Sequence, residues 1–292
     1  MSATPWQSYW QSHATHNSFM HEYESGDGPY GLIDDYWQSI FTSITNNTVI
    51  VDLGAGNGAL SHLYIKHVGE PQCRSWHNVD YAQIKAPTAH ACITHTQADM
   101  HALPFADNSV DLVVSMYGIE YSDLSRSLAE VARVLQPGGQ CVLLMHHPQS
   151  IISAQSIVTI AVSEALLQEP MLAGLAAEDY SDPQALKHAC FQVLTKHLHQ
   201  VPTNAQEDVK LIGQNVFNIL QSNAPVVDLI NQLRLLGLDI TAQMQRLTQQ
   251  IKAAEQAAQL HADHMPSSFK HVKLNTLDYA GLPLATTLIG NK

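Results

Sequence analysis

The stretch Val49-Ile-Val-Asp-Leu-Gly-Ala-Gly-Asn-Gly-Ala-Leu60 decides the fold of this chain. Its first residues are apolar apart from one aspartate and predict a buried strand, a glycine-rich turn follows, and Ala59 opens a helix. Glycine has no Cβ and accepts positive φ, so the backbone of such a turn can come very close to a ligand. The N–H groups at the helix start add donors and a partial positive charge. The pattern predicts a site for a nucleotide-like ligand.

Asp52 bears on which ligand that is. Gly54, Gly56 and Ala59 satisfy the relaxed G-x-G-x-x-A dinucleotide fingerprint, a weak signal on its own. The Asp52 carboxylate stands two residues before Gly54, where it would repel a pyrophosphate and would suit a ligand with a cationic amine. S-adenosylmethionine has an ammonium and a sulfonium and no phosphate. An NAD-type nucleotide, or a turn that binds nothing, is the alternative at this point.

Composition narrows the class of protein. The 292 residues allow one large domain or a domain with an elaboration, and 45% apolar residues support a sizeable core. The net charge of −12 argues against nucleic acid as a partner, which needs clustered Lys and Arg, and favours a cytoplasmic protein. We expect no membrane partner, because the chain shows neither a signal-peptide pattern nor an apolar run that could span a bilayer.

Metal-site signals are weak. The four cysteines form no C-x-x-C pair and are interpreted as reduced, mostly structural thiols. The 17 histidines are scattered and lack partner carboxylates or thiols at ligand spacing. We therefore expect no metal.

Strand and helix patterns alternate along the first half of the chain. Helices are predicted at 59–68 and 124–135, with later strands at 76–80, 93–97, 110–116 and 140–145. Strand patterns return at 272–277 and 284–289, whereas the region between them and the fifth strand shows helical patterns only. The predicted fold is α/β: a doubly wound, mostly parallel, seven-stranded sheet with a large all-helical insertion between strands five and six.

The predicted organisation has three parts. Residues 1–45 form an aromatic-rich helical segment over the ligand site, or a cover for the sheet edge, with a helix at 32–44 after a loop around Gly26, Gly28 and Pro29. Residues 46–149 and 266–292 form the core, and residues 150–265 form the helical insertion. We expect the apolar faces of this insertion to form a lid or a substrate-binding region, or to be buried in a contact between the two copies of a homodimer. The aromatic residues of the first segment include Trp6, Trp10, Phe19 and Tyr23.

Three motifs in order resemble one family. After Asp52-Leu-Gly-Ala-Gly-Asn-Gly58 come Ala98-Asp-Met-His-Ala-Leu-Pro-Phe-Ala-Asp-Asn-Ser-Val-Asp-Leu-Val-Val114 and Arg133-Val-Leu-Gln-Pro-Gly-Gly139. Together they are similar to class I S-adenosylmethionine-dependent methyltransferases of the small-molecule type, over about residues 45–147. Ser115-Met-Tyr-Gly-Ile-Glu-Tyr121 resembles a branch in which Phe-Gly-Ile-Glu-Tyr follows the fourth strand. The resemblance to that branch does not imply a particular substrate.

The resemblance implies S-adenosylmethionine as the cofactor and assigns roles to positions at the carboxyl edge of the sheet. Asp80 would accept hydrogen bonds from the ribose hydroxyls, and Tyr81 would flank the adenine. Asp99 would accept from the adenine amino group, with Met100 against the ring, and Met116 would approach the methyl group. The methionine end of the cofactor would be held by the glycine turn and the aspartate before it, that is by Asp52, Gly54, Ala55, Gly56 and Gly58.

Methyl transfer is an in-line displacement that needs alignment, exclusion of water and, for some acceptors, a base. The candidates for the catalytic residues are Tyr117, Glu120, His146 and His147. A histidine after the fifth strand can deprotonate a hydroxyl at neutral pH, although a polar strand end bonded to backbone is an equal alternative. Glu120 stands where carbon methyltransferases related to cyclopropane synthases carry a glutamate.

Absent motifs narrow the acceptor. No Asn/Asp-Pro-Pro-Tyr follows the fourth strand, and no Pro-Cys nucleophile occurs there, so methylation of nucleic acid is not expected. The predicted function is methyl transfer to an oxygen, nitrogen or carbon atom of a small molecule. The alternatives are an NAD-type oxidoreductase and a non-catalytic methyltransferase-like interaction protein.

Overall fold

A computed structural model describes residues 5–12, 28–70, 73–84, 90–174, 180 and 182–292 of the chain. Phe19, Tyr23 and Gly26, which the sequence places in the N-terminal segment, lie outside these residues. The chain divides into two compact units: Met1–Ser153 together with Gln250–Lys292, and Ala154–Gln249.

The first unit is built on a sheet with the strand order β3-β2-β1-β4-β5-β7-β6. β7 runs antiparallel to both of its neighbours, and the other pairs are parallel. The strands are β1 (Val49–Leu53), β2 (Ser75–Asp80), β3 (Ile93–Gln97), β4 (Val110–Met116), β5 (Leu135–His146), β6 (Lys270–Tyr279) and β7 (Leu282–Asn291). The predicted doubly wound, mostly parallel, seven-stranded sheet is confirmed.

Helices follow β1, β4 and β5, and helices make up the second unit. Between β5 and β6 the described residues form helices and short 3₁₀ turns but no strand, which confirms the predicted helical insertion. In chain order the helices are α1 (Pro5–Ser12), α2 (Pro29–Phe41), α3 (Ala59–Val68), α4 (Leu124–Val134), α5 (Ile151–Leu167), α6 (Pro170–Ala173), α7 (Pro183–Gln200), α8 (Gln206–Leu220) and α9 (Val226–Ala258). Among the described residues, no helix combines the length and apolar character that a bilayer crossing requires.

Several boundaries differ from the sequence-based prediction, and two of them have a clear physical reason. β5 starts at Leu135 rather than at Gln140, because Leu135 pairs with Val110 and the N–H of Gly138 donates to the Lys292 carbonyl at 2.8 Å. α2 starts at Pro29, which was predicted to lie in a loop. Proline suits the first position of a helix, where its missing N–H has no partner to lose.

Apolar side chains cover both faces of the sheet, as a central parallel sheet requires. On one face, residues of β1, β4 and β5 pack against α4, with Leu128 and Val131 almost fully buried. On the other face, Trp37 of α2 and Tyr64 of α3 pack around Trp76. These two layers fix the sheet and therefore the positions of the loops at its carboxyl edge.

The strand order reverses between β1 and β4. Ligands of open α/β sheets bind outside the carboxyl ends of the strands at such a switch point. The residues that follow β1, β2, β4 and β5 are therefore where a site is to be sought.

Candidate cofactor and active site

The N–H groups of the glycine loop after β1 donate hydrogen bonds within the protein. Gly54 and Ala55 donate to the Val79 carbonyl (2.9 and 3.1 Å), Gly56 donates to Asp80 Oδ2 (2.8 Å), and Gly58 donates to the Ala55 carbonyl (2.9 Å). A pyrophosphate needs N–H donors from such a loop. Because these four donors are engaged within the protein, the loop suits a cation better than an anion.

The loop also lies against the turn that follows β4. Gly54 has φ 67°, and a Cβ on it would lie 2.7 Å from the Cα of Gly118. A Cβ on Gly118 would in turn lie 2.6 Å from the Leu53 carbonyl oxygen. The ends of β1 and β4 can approach this closely only because both positions are glycine.

Asp52 is buried beside this loop with 1% of its surface exposed. Its Oδ2 has no hydrogen-bond partner among the described residues. Burial, and then the charge of Asp80, raise the pKa of Asp52 well above its ordinary value. A buried carboxylate oxygen without a donor fits a ligand that brings a positive charge, and the ammonium of S-adenosylmethionine meets that requirement.

Asp80 ends β2 and holds two turns. Its Oδ2 accepts from the Gly56 N–H and its Oδ1 accepts from the Ala82 N–H, both at 2.8 Å. Burial raises the pKa of Asp80, although these two hydrogen bonds oppose the shift. Each carboxylate oxygen accepts more than one hydrogen bond, so Asp80 retains capacity for a ribose hydroxyl.

The remaining predicted cofactor residues are less enclosed. Tyr81 is 63% exposed. Asp99 follows β3 and is exposed, and its Oδ1 contacts the backbone N and Nδ1 of His101, each at 2.9 Å. Met100 and Met116 are partly buried and pack against opposite faces of the sheet. The structure brings Asp52, Asp80 and the glycine loop into one cluster, and their role in binding stays a prediction.

A second cluster lies where β4 and β5 end. Glu120 and His146 are fully buried, and Glu120 Oε1 lies 2.8 Å from Nδ1 and 2.9 Å from the backbone N of His146. Tyr117 covers the imidazole with 4.3 Å between ring centroids. Tyr121 contacts the imidazole edge-on at 5.9 Å. Glu120 Oε2 and the Tyr121 hydroxyl are buried without a hydrogen-bond partner among the described residues.

Hydrogen bonds and an unusual backbone conformation hold the turn that carries this cluster. Ser115 Oγ donates to the Leu53 carbonyl at 2.7 Å and accepts from the Ile119 N–H at 2.9 Å, which ties the turn after β4 to β1. Tyr117 adopts φ 55°, a conformation that costs a non-glycine residue roughly 1–3 kcal/mol. Such strain persists where the surrounding fold holds it, often at functional sites.

His147 does not join the cluster. Its Nδ1 accepts from the Gln149 N–H at 3.1 Å, and burial lowers its pKa. Of the four predicted catalytic residues, the structure therefore assembles Tyr117, Glu120 and His146.

Helix α1 lies against the carboxyl edge. A Cβ on Gly56 would lie 2.4 Å from Cζ2 of Trp10, so the indole rests directly on the glycine loop. Trp6 contacts Tyr121 edge-on with 5.4 Å between ring centroids, and Gln7 Oε1 accepts from the Gln83 N–H at 3.1 Å. The aromatic composition of the N-terminal segment predicts that it lies over the site. The sequence contains nothing that identifies Trp10, rather than another aromatic residue, as the one on the glycine loop.

Part of the chain is similar to known methyltransferases. Residues 51–143 match the family model of a methyltransferase domain. A stretch of 123 residues is 32% identical to an uncharacterised methyltransferase of Mycobacterium sp. strain JLS, covering 40% of this chain and 46% of that protein. A stretch of 146 residues is 27% identical to the ubiquinone/menaquinone biosynthesis C-methyltransferase UbiE of Klebsiella pneumoniae, covering 47% of this chain and 57% of that protein.

The chain thus spans about half the length of the curated relatives it matches. Among solved structures, an S-adenosylmethionine-dependent methyltransferase of Mesorhizobium loti is 25% identical with a TM-score of 0.35, covering 42% of this chain and 58% of that one. The matched region runs from within β1 to within β5 and contains the glycine loop and Asp80. Residues 51–143 of this chain are therefore similar to a methyltransferase domain.

Proposed function

We propose that this protein transfers the methyl group of S-adenosylmethionine to a small-molecule acceptor, with His146 as the general base. The observation that carries the proposal is the buried Glu120–His146 pair. It lies in the fold next to the Gly54–Gly118 contact, where the ends of β1 and β4 meet. The site thus combines a cation-compatible loop with a base.

Asp52 and Asp80 support the cofactor half of the proposal. The Asp52 carboxylate would hold the ammonium, and Asp80 would accept hydrogen bonds from the ribose hydroxyls. When bound, S-adenosylmethionine supplies a methyl group that its sulfonium makes electrophilic. The N–H groups of Gly54, Ala55, Gly56 and Gly58 are engaged within the protein and are not available to a pyrophosphate, which speaks against the NAD-type alternative.

Glu120 and His146 support the acceptor half. Glu120 accepts the Nδ1–H of His146, which fixes the tautomer in which Nε2 carries the lone pair. Nε2 would then take the proton that an O–H or N–H acceptor loses. Burial, and then the charge of Glu120, raise the pKa of Tyr121 well above its ordinary value. Its phenol therefore stays protonated at neutral pH and can donate a hydrogen bond to an acceptor oxygen.

The acceptor class is left to experiment. A base beside the methyl donor suits a hydroxyl or amine acceptor, and the Klebsiella relative is named for methylation at carbon. The screen should therefore contain phenols, other hydroxyl compounds, amines and activated carbon acids. Turnover of any of them would also exclude the non-catalytic alternative.

The test compares three proteins with methyl-labelled S-adenosylmethionine and the acceptor that the screen identifies. We expect His146→Gln to lower kcat by about 10²–10⁴-fold, the usual range for loss of a general base. The cofactor Kd should stay within about threefold, because the proposal assigns cofactor binding to Asp52 and Asp80 and only proton removal from the acceptor to His146. Glu120→Gln should lower kcat less and shift the pH profile of kcat/KM, because it acts through His146.

His147→Gln is the matched control. It changes a neighbouring histidine that lies outside the cluster, so its kcat should stay within about threefold of the unchanged protein. Equal turnover by His146→Gln and the unchanged protein, with both folded by circular dichroism, would refute the assignment of the base.

A further inference from the structure

The helical unit contains an apolar groove between α7 and α8. Its volume is about 620 Å³, and every residue that lines it lies between Lys187 and Gln221. Its apolar walls are formed by Phe191, Leu194 and Leu198 of α7 and by Val209, Val216 and Phe217 of α8. Volumes of roughly 300–1,000 Å³ are typical of small-molecule sites. The groove therefore has the size and character of a ligand pocket.

Two features keep the groove open and apolar. Gly213 lines it, and a Cβ there would lie 3.7 Å from Leu194, an ordinary contact. A large side chain at this position would consequently project into the groove. Phe191 and Phe217 border it with 68% and 54% of their surface exposed, which is unusual for phenylalanine unless something covers it.

The charges at the groove have one sign. Lys187 and Lys210 are the charged residues of its lining, which contains no acid. Lys210 also lies 3.6 Å from Glu207. Lys187 is half-buried and forms no ion pair within the described part of the chain. This is notable in a chain with 26 acidic and 14 basic residues, because a random lining would favour acids.

We propose that this groove binds a single-chain amphiphile with an anionic head: the chain lies between the phenylalanines and the head is held by Lys187, assisted by Lys210. Charge complementarity favours an anionic head over a neutral or cationic one. A second copy of the chain fits less well, because each copy carries a net charge of −12. The inference is independent of the proposed methyl transfer, because the groove contains no residue of that site.

Calorimetric titration with dodecanoate, kept below its micelle concentration, tests this inference. Butanoate offers the same head with a short chain, and dodecyltrimethylammonium offers the same chain with a cationic head. We expect binding of dodecanoate only. Lys187→Gln should weaken it at least about fivefold, through loss of a charged hydrogen bond. Lys196→Gln, on the same helix but outside the groove, should leave it within twofold.

Gly213→Leu fills the groove without touching a lysine and should abolish dodecanoate binding, with the helical content checked by circular dichroism. Equal binding of dodecyltrimethylammonium, or equal affinity of Lys187→Gln and Lys196→Gln, would overturn the proposal. So would the absence of any binding. Sedimentation that shows a dimer of the ligand-free protein, dissociated by Phe217→Ser, would instead identify the groove as a contact between two copies.

Discussion

Asp52 and Asp80 are carboxylic acids that the fold places at the ends of β1 and β2. They differ in one respect. Asp80 accepts two backbone hydrogen bonds, whereas Asp52 Oδ2 is buried without one. An uncompensated buried carboxylate destabilises a fold, so its presence indicates a function that benefits from it. We propose that in this site the benefit is attraction of a cationic ligand.

Asp52→Asn should therefore raise the stability of the fold at neutral pH and lower its affinity for the ligand. Because folding raises the pKa of Asp52, its contribution to stability is full below the unfolded pKa of about 4 and is lost as the pH rises through the folded value. At pH 7 the variant should have a higher free energy of unfolding than the unchanged protein, and near pH 4 the difference should vanish. Affinity for S-adenosylmethionine should fall about 10–100-fold.

Urea unfolding at the two pH values and calorimetry check this prediction. Asp111→Asn is the control, because Asp111 accepts from the Val49 N–H at 2.8 Å and from Gln136, so that variant should lose stability. A loss of stability at pH 7 in Asp52→Asn would contradict the account of a carboxylate kept for its ligand.

At the scale of elements, Arg133 at the end of α4 forms a structural clamp and is not part of the candidate site. The guanidinium of Arg133 donates to both carboxylate oxygens of Glu130, to Asp107 and to the carbonyls of Leu103 and Phe105, at 2.8–2.9 Å. It thereby fastens the long β3–β4 connection to the helix. These hydrogen bonds also lower the pKa of Glu130.

Arg133→Met should lower the free energy of unfolding by about 2 kcal/mol, because several carbonyls and carboxylates lose their shared donor. Affinity for S-adenosylmethionine should change by less than about threefold, because the clamp holds no cofactor residue. Arg126→Met, on the exposed side of the same helix, should change stability by no more than about 0.5 kcal/mol. Denaturant unfolding of the three proteins would show the difference, and equal stability of the two variants would exclude the clamp.

Helix α1 bears on how a ligand enters the site, because Trp10 rests on Gly56 where a ligand must approach. A ligand that reaches the loop has to share this space with the indole. Trp10→Ala should therefore raise both the association and the dissociation rate constants of S-adenosylmethionine, by about threefold to tenfold. Stopped-flow measurement gives both constants. Unchanged rates would mean that α1 covers the sheet edge without governing access.

The sequence predicts elements better than contacts. β3, β4 and α3 agree with the prediction to the residue, because apolar runs and glycine signals mark their ends locally. β5 was predicted too short, because its first residues pair with Val110 far away in sequence. Cys73 and Cys92, far apart in sequence, have their sulfur atoms 3.6 Å apart, which again only the fold decides.

The same distinction holds at the site. Motifs located Asp52, Asp80 and Glu120, because strand ends and glycine turns have local signatures. They could not show that the N–H groups of the loop are engaged, that Glu120 meets the imidazole of His146 rather than that of His147, or that Trp10 lies on Gly56. Each of these depends on residues that approach one another only in the folded chain.

At the scale of the whole molecule, the two compact units carry different surfaces. The first unit contains the buried acids and the glycine loop, and the second contains an apolar groove whose charged residues are both lysines. The chain as a whole carries a net charge of −12. The charge selectivity that we propose for both sites would therefore have to come from local arrangement, because the overall charge would attract any cation and repel any anion.

Calorimetric titration of the purified protein with S-adenosylmethionine, S-adenosylhomocysteine and NAD tests the central claim most directly. The claim is that a loop with engaged N–H groups beside a buried, unpaired carboxylate selects a cationic ammonium over a pyrophosphate. It predicts micromolar binding of the two sulfur ligands and none of NAD. Binding of NAD with silence toward both sulfur ligands would contradict it.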